Sequence, residues 1–202
     1  QRQMCIRDRI SAAPLLPPAA IDALLAVLLV VVIVLVAGWF LFAYAVRVDR
    51  LHRQVLAARL IVSGQLSKRA HAAIELANAQ VLDQADSEKL CQAAHSASRC
   101  EEPIVGDGLD PRNRTGNAAK RVAYENQLTR VMREVLTDET RSRLMQETDA
   151  TALLRRLDAA QQKLEVAVHV HNNQVKDARK VRQRALVRIA HLAGRAPLPA
   201  PV

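Results

Sequence analysis

Residues Ala23 to Val46 read ALLAVLLVVVIVLVAGWFLFAYAV, an unbroken uncharged run bounded by Asp22 and Arg47. The hydrocarbon core of a bilayer takes about 20 apolar residues of helix, so this run is long enough to cross it with some tilt. Trp39, Phe40, Phe42 and Tyr44, four of the five aromatic residues in the chain, fall in its last third. Amphipathic rings prefer the headgroup level. Together with Arg47, Arg50 and Arg53 just beyond them, these aromatics mark one membrane interface. A buried core helix of a soluble protein rarely runs this far without a polar residue. The run is read as a single transmembrane helix over 23–46.

Upstream, Ile10 to Asp22 carries Pro14, Pro17 and Pro18 and reads as a short irregular tail. Residues 1–9, QRQMCIRDR, resemble the translated end of a sequencing transposon adapter. They are set aside, with the genuine N-terminus expected either to be missing or to start near Ile10. Arg47, Arg50, Arg53 and Arg59 follow the span, and nothing basic precedes it once residues 1–9 are removed. The positive-inside rule then places the N-terminus outside and the C-terminal domain in the cytoplasm of a single-pass protein of the plasma (inner) membrane.

Downstream, Tyr124 is the only aromatic residue left, so the core of this part must be built from Leu, Val, Ile and Ala. No proline occurs between Ala19 and Glu102 or between Arg112 and Ala196. Long proline-free tracts rich in Ala, Arg and Gln suit helices rather than strands. The expected fold is all-α: one membrane helix that continues into an antiparallel, partly coiled-coil bundle over 47–196, followed by a proline-rich tail, 197–202.

Within that bundle, Val48, Leu51, Val55, Ala58, Val62, Leu66, Ala70, Ala73 and Leu76 step by threes and fours, the spacing of one apolar helix face. A helix from Arg47 to about Leu82 would rise roughly 50 Å. Gly64 interrupts it, and the expected reason is the close approach of a neighbouring helix. A short helix is expected over 86–98. Residues 101–116, with two prolines and three glycines, read as a mobile loop. The Asn113 sequon within that loop is discounted. Helices are then expected over 117–136, with Thr137 and Asp138 as caps, and over 139–146. A long last helix carries Leu153, Leu157, Ala160, Leu164, Val168, His171, Val175, Ala178 and Val181 on one stripe, which continues through Leu192. Gly194 stops it and the following prolines forbid its extension.

Two segments resemble the LemA family of bacterial membrane-anchored helical proteins. Arg50, Leu51, Val55, Ala58, Val62, Gln65, Leu66, Lys68 and Arg69 match a membrane-proximal run of that family. Ala167, Asn172, Val175 and Lys176 fit a second motif, in which His171 stands where the family has Tyr. The resemblance implies an N-terminal membrane helix and a cytoplasmic helical domain, and it implies no reaction.

The soluble part holds 26 Lys and Arg against 18 Asp and Glu, so anionic lipid, nucleic acid or an acidic protein would be attracted to it. The charge concentrates late in the last helix, where Lys176, Arg179, Lys180, Arg182, Arg184 and Arg188 oppose Asp177 alone. Such a face is either simply solvated, with its cations well placed at a helix C-terminus, or a contact for anionic lipid or a protein partner. Nucleic acid is disfavoured, because no aromatic stacking platform accompanies the charge. Asn172 and Asn173 are expected to make polar contacts to the first helix beside Gln65.

No catalytic constellation is found: the chain has no H-E-x-x-H, no nucleophile elbow and no Gly-rich phosphate loop. Cys91, His95 and Cys100 lack the second ligand pair of a structural zinc site, and the two cysteines read as ordinary reduced thiols, a disulfide between them being expected only if the domain lies outside the membrane. No metal and no cofactor are expected. His171 on an apolar stripe reads as a hydrogen-bonded packing residue. The function expected is a non-enzymatic, membrane-anchored scaffold or partner-binding module, with membrane lipid and either a protein partner or a homo-oligomer as its contacts. The alternative is a signalling protein that transmits change through a continuous helix.

Overall fold

A computed structural model describes residues 18–109, 116–183 and 197–202, with side chains from Ile21 onward. Every regular element among the described residues is a helix: α1 Pro18–Asn78, α2 Gln84–Ser98, α3 Ala118–Val135, α4 Asp138–Leu144 and α5 Thr148–Arg182. The all-α expectation is met, and the helix boundaries fall within a few residues of the periodicity. The first helix stops at Asn78 rather than near Leu82, because Gln80 turns the chain with a left-handed φ of 59°. Asn117 caps α3 by accepting the Lys120 amide at 3.3 Å, and Thr137 caps α4 by accepting the Thr140 amide at 3.2 Å. The tail of the apolar stripe after Gln183, including Gly194, lies outside the described residues.

The chain divides into two units, Gln1–Ala43 and Tyr44–Val202. In the first, the helical residues from Ile21 on are exposed throughout, and Trp39 and Phe40 meet edge to face with ring centroids 5.3 Å apart. α1 is the one helix among the described residues long and apolar enough to cross a membrane.

The second unit is built on the pairing of α1 with α5. Val55 of α1 packs with Val175 and Ala178 of α5, Val62 and Leu66 pack with Leu164 and Ala167, and Ala70 to Ala77 pack with Ala150 to Ala160. Numbers rise along α1 as they fall along α5, so the two helices are antiparallel. Leu90, Ala93, Ala94 and Ala97 of α2, Leu128 and Val135 of α3, and Leu144 of α4 close over the Ala70–Ala77 end. The other end has a different cover: Leu109 joins the Val55–Val175 cluster, and Ile104 packs on the Val62–Leu164 cluster.

Gly64 does not serve the purpose expected of it. A side chain built there would meet nothing within 4 Å, so among the described residues no helix closes on that position.

Candidate functional site

Polar contacts between α1 and α5 occur at both ends, Glu75 pairing with Arg156 at 2.7 Å at one, and those that hold irregular chain gather at the Val55–Val175 end. Arg59 is about nine-tenths buried and donates both terminal nitrogens to Asp107, one at 2.9 Å to Oδ1 and the other to Oδ2. Asp107 sits in the segment Gly106-Asp107-Gly108-Leu109. Its Oδ1 also accepts the Leu109 amide at 3.0 Å, a local turn completed by Gly108, whose φ of +69° suits glycine. Leu109 is buried and anchors the turn. Asp107 Oδ2 takes a further hydrogen bond, from the Ala200 amide at 2.8 Å. Burial alone would raise the carboxyl pKa, but the hydrogen bonds from Arg59, Ala200 and Leu109 and the guanidinium charge outweigh it. Together they hold Asp107 below its ordinary value.

His171 of α5 is fully buried, and its Nδ1 lies 3.4 Å from Asn172 Oδ1. Among the described residues its Nε2 has no hydrogen-bond partner. Burial lowers its pKa and the Arg59 charge adds to this, against the opposing effects of Asn172 and Asp107, so the imidazole is neutral at pH 7. This is the packing role its place on the stripe implied.

The Pro197–Val202 segment lies back against α5. Arg179 Nε donates to the Pro199 carbonyl at 2.7 Å, and Arg182 donates to the Pro197 carbonyl. Asn172 takes Val202 at both ends, accepting its amide at 3.0 Å and donating to its carbonyl at 3.3 Å. The expected contact of Asn172 and Asn173 with α1 beside Gln65 is therefore corrected. Asn172 holds Val202, and Asn173 faces His169 one turn earlier, at 2.9 Å. The proline ring of residue 199 is buried and helps line an apolar cleft of about 220 Å³ with Val48, Leu51, Val55, Leu109 and Val181.

The basic residues expected to share one face divide into two groups. Lys176 and Lys180 are exposed, whereas Arg179 and Arg182 are half-buried and turned onto the carbonyls of residues 197–199. Arg184 and Arg188 lie outside the described residues. Arg47 and Arg50 are exposed, and Arg53 is exposed and paired with Asp49 one turn earlier. Arg59, counted from the sequence among the flanking charges of the span, is instead locked to Asp107. Lys68 is exposed, but its neighbour Arg69 is buried, donating to Thr129 and Gln161 at 3.2 Å each and to Glu125 Oε2 at 2.6 Å. Arg121 also reaches Glu125, at 3.3 Å, and donates to the Cys100 carbonyl. The Glu125 carboxylate thus ties α1 to α3 through Arg69, while Arg121, on α3 itself, carries the contact on to the Cys100 carbonyl just past α2.

Cys91 and Cys100 are free thiols, the first half-buried and the second buried. Among the described residues no cluster of three or more His, Cys, Asp or Glu side chains could hold a metal ion.

Asp107, Arg59 and the 197–202 contacts were not found from the sequence, although a signal for them exists. Val55, Arg59, Val62, Leu66, Arg69, Ala73 and Leu76 alternate steps of four and three, and all are buried. The two arginines therefore occupy seam positions of a heptad pattern. A strongly charged residue in the seam requires a buried partner of opposite sign, and Asp107 and Glu125 are those partners.

What the arrangement does chemically is hold the main chain of an extended segment. Compared with known proteins, the chain matches no family model, no curated protein and no solved structure.

Proposed function

We propose that the protein is a single-pass, membrane-anchored helical scaffold whose second unit lies on the cytoplasmic side, with its basic end against anionic headgroups. One observation carries this reading. The antiparallel pairing sets the end of α5, with exposed Lys176 and Lys180, beside the turn of α1 at Val55, nine residues past the end of the apolar run. Arg47 and Arg50, also exposed, lie between that turn and the apolar run, so basic residues of both helices belong to this end of the second unit. Each basic residue near an anionic surface contributes about 1 kcal/mol. The resemblance of the 50–69 and 167–176 segments to the LemA family supports the same architecture, and no reaction belongs to the proposal.

The test uses the full chain with Cys5, Cys91 and Cys100 changed to Ser and a fluorophore on Lys180→Cys. It is reconstituted in vesicles of phosphatidylcholine alone or with phosphatidylglycerol added, each carrying a headgroup quencher. Quenching that appears with phosphatidylglycerol and falls as salt is raised supports the headgroup contact. Equal quenching in both vesicles overturns it. For topology, impermeant maleimide in intact cells expressing the chain without residues 1–9, and so without Cys5, reports on Cys91, because Cys100 is buried; labelling only after permeabilisation is the expected result.

A second reading, transmission of a signal, is favoured by the continuity of α1 from Pro18 to Asn78 without a break. Inserting Gly-Pro between Val46 and Arg47 separates the two readings. A scaffold keeps its partner and lipid contacts, whereas a transmitter loses its response.

A further inference from the structure

We infer that Asp107, Asn172, Arg179 and Arg182 form a receptor groove for an extended, proline-containing peptide segment supplied by another polypeptide, with residues 197–202 as the resident ligand that such a segment displaces. Among the described residues, the polar contacts these four side chains make to 197–202 are to its main chain: the carbonyls of Pro197, Pro199 and Val202, and the amides of Ala200 and Val202. Only one ring, that of Pro199, is buried, while the side chains of Leu198 and Val202 point away, 56% and 44% exposed. Such recognition specifies an extended backbone and a proline at one position, and leaves the other side chains open.

The spacing suits that conformation. From Arg182 back to Asn172 a helix rises roughly 15 Å, and from residue 197 to 202 a polyproline II strand rises about the same. Ten helical steps therefore stay in register with five extended ones. Prolines at 197, 199 and 201 have no amide to satisfy, so the groove needs acceptors only at alternate residues. Asp107 and Asn172 supply them at 200 and 202. A proline-rich segment suits such a groove because its preformed extended backbone costs little entropy to fix.

The test is fluorescence anisotropy of a labelled, end-capped peptide of residues 197–202 with the full chain in detergent. The groove is opened in two ways: by deleting residues 197–202, and by cutting a protease site inserted between Ala196 and Pro197 after the chain has folded. Saturable binding is expected to either opened chain, at least tenfold tighter than to the intact chain. Asn172→Ala or Arg179→Ala in the opened chain should weaken binding at least tenfold. A Pro199→Ala peptide should lose as much, and a Leu198→Ser peptide nothing. Absence of saturable binding to the cut chain, whose helicity is checked by circular dichroism, overturns the inference. So does equal binding of the Pro199→Ala peptide, which would show simple adhesion to an apolar surface.

Discussion

The two ends of the α1–α5 pair are covered by different kinds of structure. Around Ala70–Ala77 and Ala150–Ala160 the cover is three further helices, and the contacts are mostly between Leu, Val and Ala side chains, with Arg69, Arg121 and Glu125 paired at the margin. Around Val55 and Val175 it is irregular chain, residues 104–109 and 197–202, held by Asp107, Asn172, Arg179 and Arg182. Apolar burial is non-directional and scales with area, so the first cover tolerates small shifts. Hydrogen bonds to a backbone are directional, so the second is either seated or not. A cover of that second kind can be exchanged for another segment without disturbing the helices beneath, which is why the binding reading falls at this end.

The sharpest way to break the comparison is Asp107→Ala. It leaves Arg59 buried without its counter-charge and frees the Ala200 amide, so a loss of about 3 to 5 kcal/mol is expected. Denaturant unfolding of the full chain in detergent measures the cost, and hydrogen exchange locates it. Exchange should rise first in 104–109 and 197–202 while α2 and α3 stay protected. Early loss of protection in α2 would show that the two ends are not separable.

Leu157→Ala acts on the opposite end. Leu157 is fully buried in the cluster shared by α1, α2, α3, α4 and α5, and its truncation should cost about 2 to 5 kcal/mol. Here exchange should rise across α2, α3 and α4 together, because an apolar cluster has no single bond to lose. If protection fell only near residue 157, the core would be less cooperative than its packing implies.

The third prediction concerns pH. His171 has its pKa lowered in the folded chain, chiefly by burial. Once unfolded it takes up a proton below about pH 6.5, so the unfolded state binds more protons there. Stability attributable to His171 is therefore full above that pH and declines as pH falls toward the lower folded value, by at most about 1.4 kcal/mol per pH unit. Asp107 adds nothing in this window: its pKa is lowered from 3.8, so its contribution holds above that value and is lost only at more acid pH. The difference in unfolding free energy between the native chain and His171→Gln, followed from pH 8 to pH 4.5, should be flat at first and then shrink. A constant difference would mean that the imidazole is not the group being titrated.

These predictions also show what could be read in advance. The helices, the cap at Thr137 and the antiparallel pairing follow from periodicity and turn chemistry, whereas the Asn117 cap is seen only in the structure. The polar end does not follow from them, because Arg59 and Asp107 are far apart in the sequence and only tertiary closure brings them together. The apolar stripe was traced through Ala58 and Ala70, the small neighbours of Arg59 and Arg69, and this choice hid the two charged seam positions. Proline spacing in 197–202 marks the end of helix formation, but whether such a segment is left in solvent or bound depends on the acceptors facing it. Those acceptors come from Asp107 and Asn172, on two other parts of the chain.

The smallest expected effect is at Gly64, and its sign is the opposite of the others. Glycine inside a helix costs about 0.5 to 1 kcal/mol relative to alanine through backbone entropy. A Cβ at Gly64 meets no atom within 4 Å, so Gly64→Ala should stabilise the chain by up to that amount. Gly116 is the contrast: there a Cβ would run into the Pro103 ring, so Gly116→Ala is expected to destabilise. Thermal unfolding in detergent distinguishes the two signs. Exposed Leu60 and Ile61 flank Gly64 on α1, so the same measurement, repeated across protein concentrations, tests whether a second copy uses that surface. A gain at every concentration leaves the face open to solvent. A gain that disappears as concentration rises would mean that another helix packs on Gly64 between copies, which no helix does among the described residues.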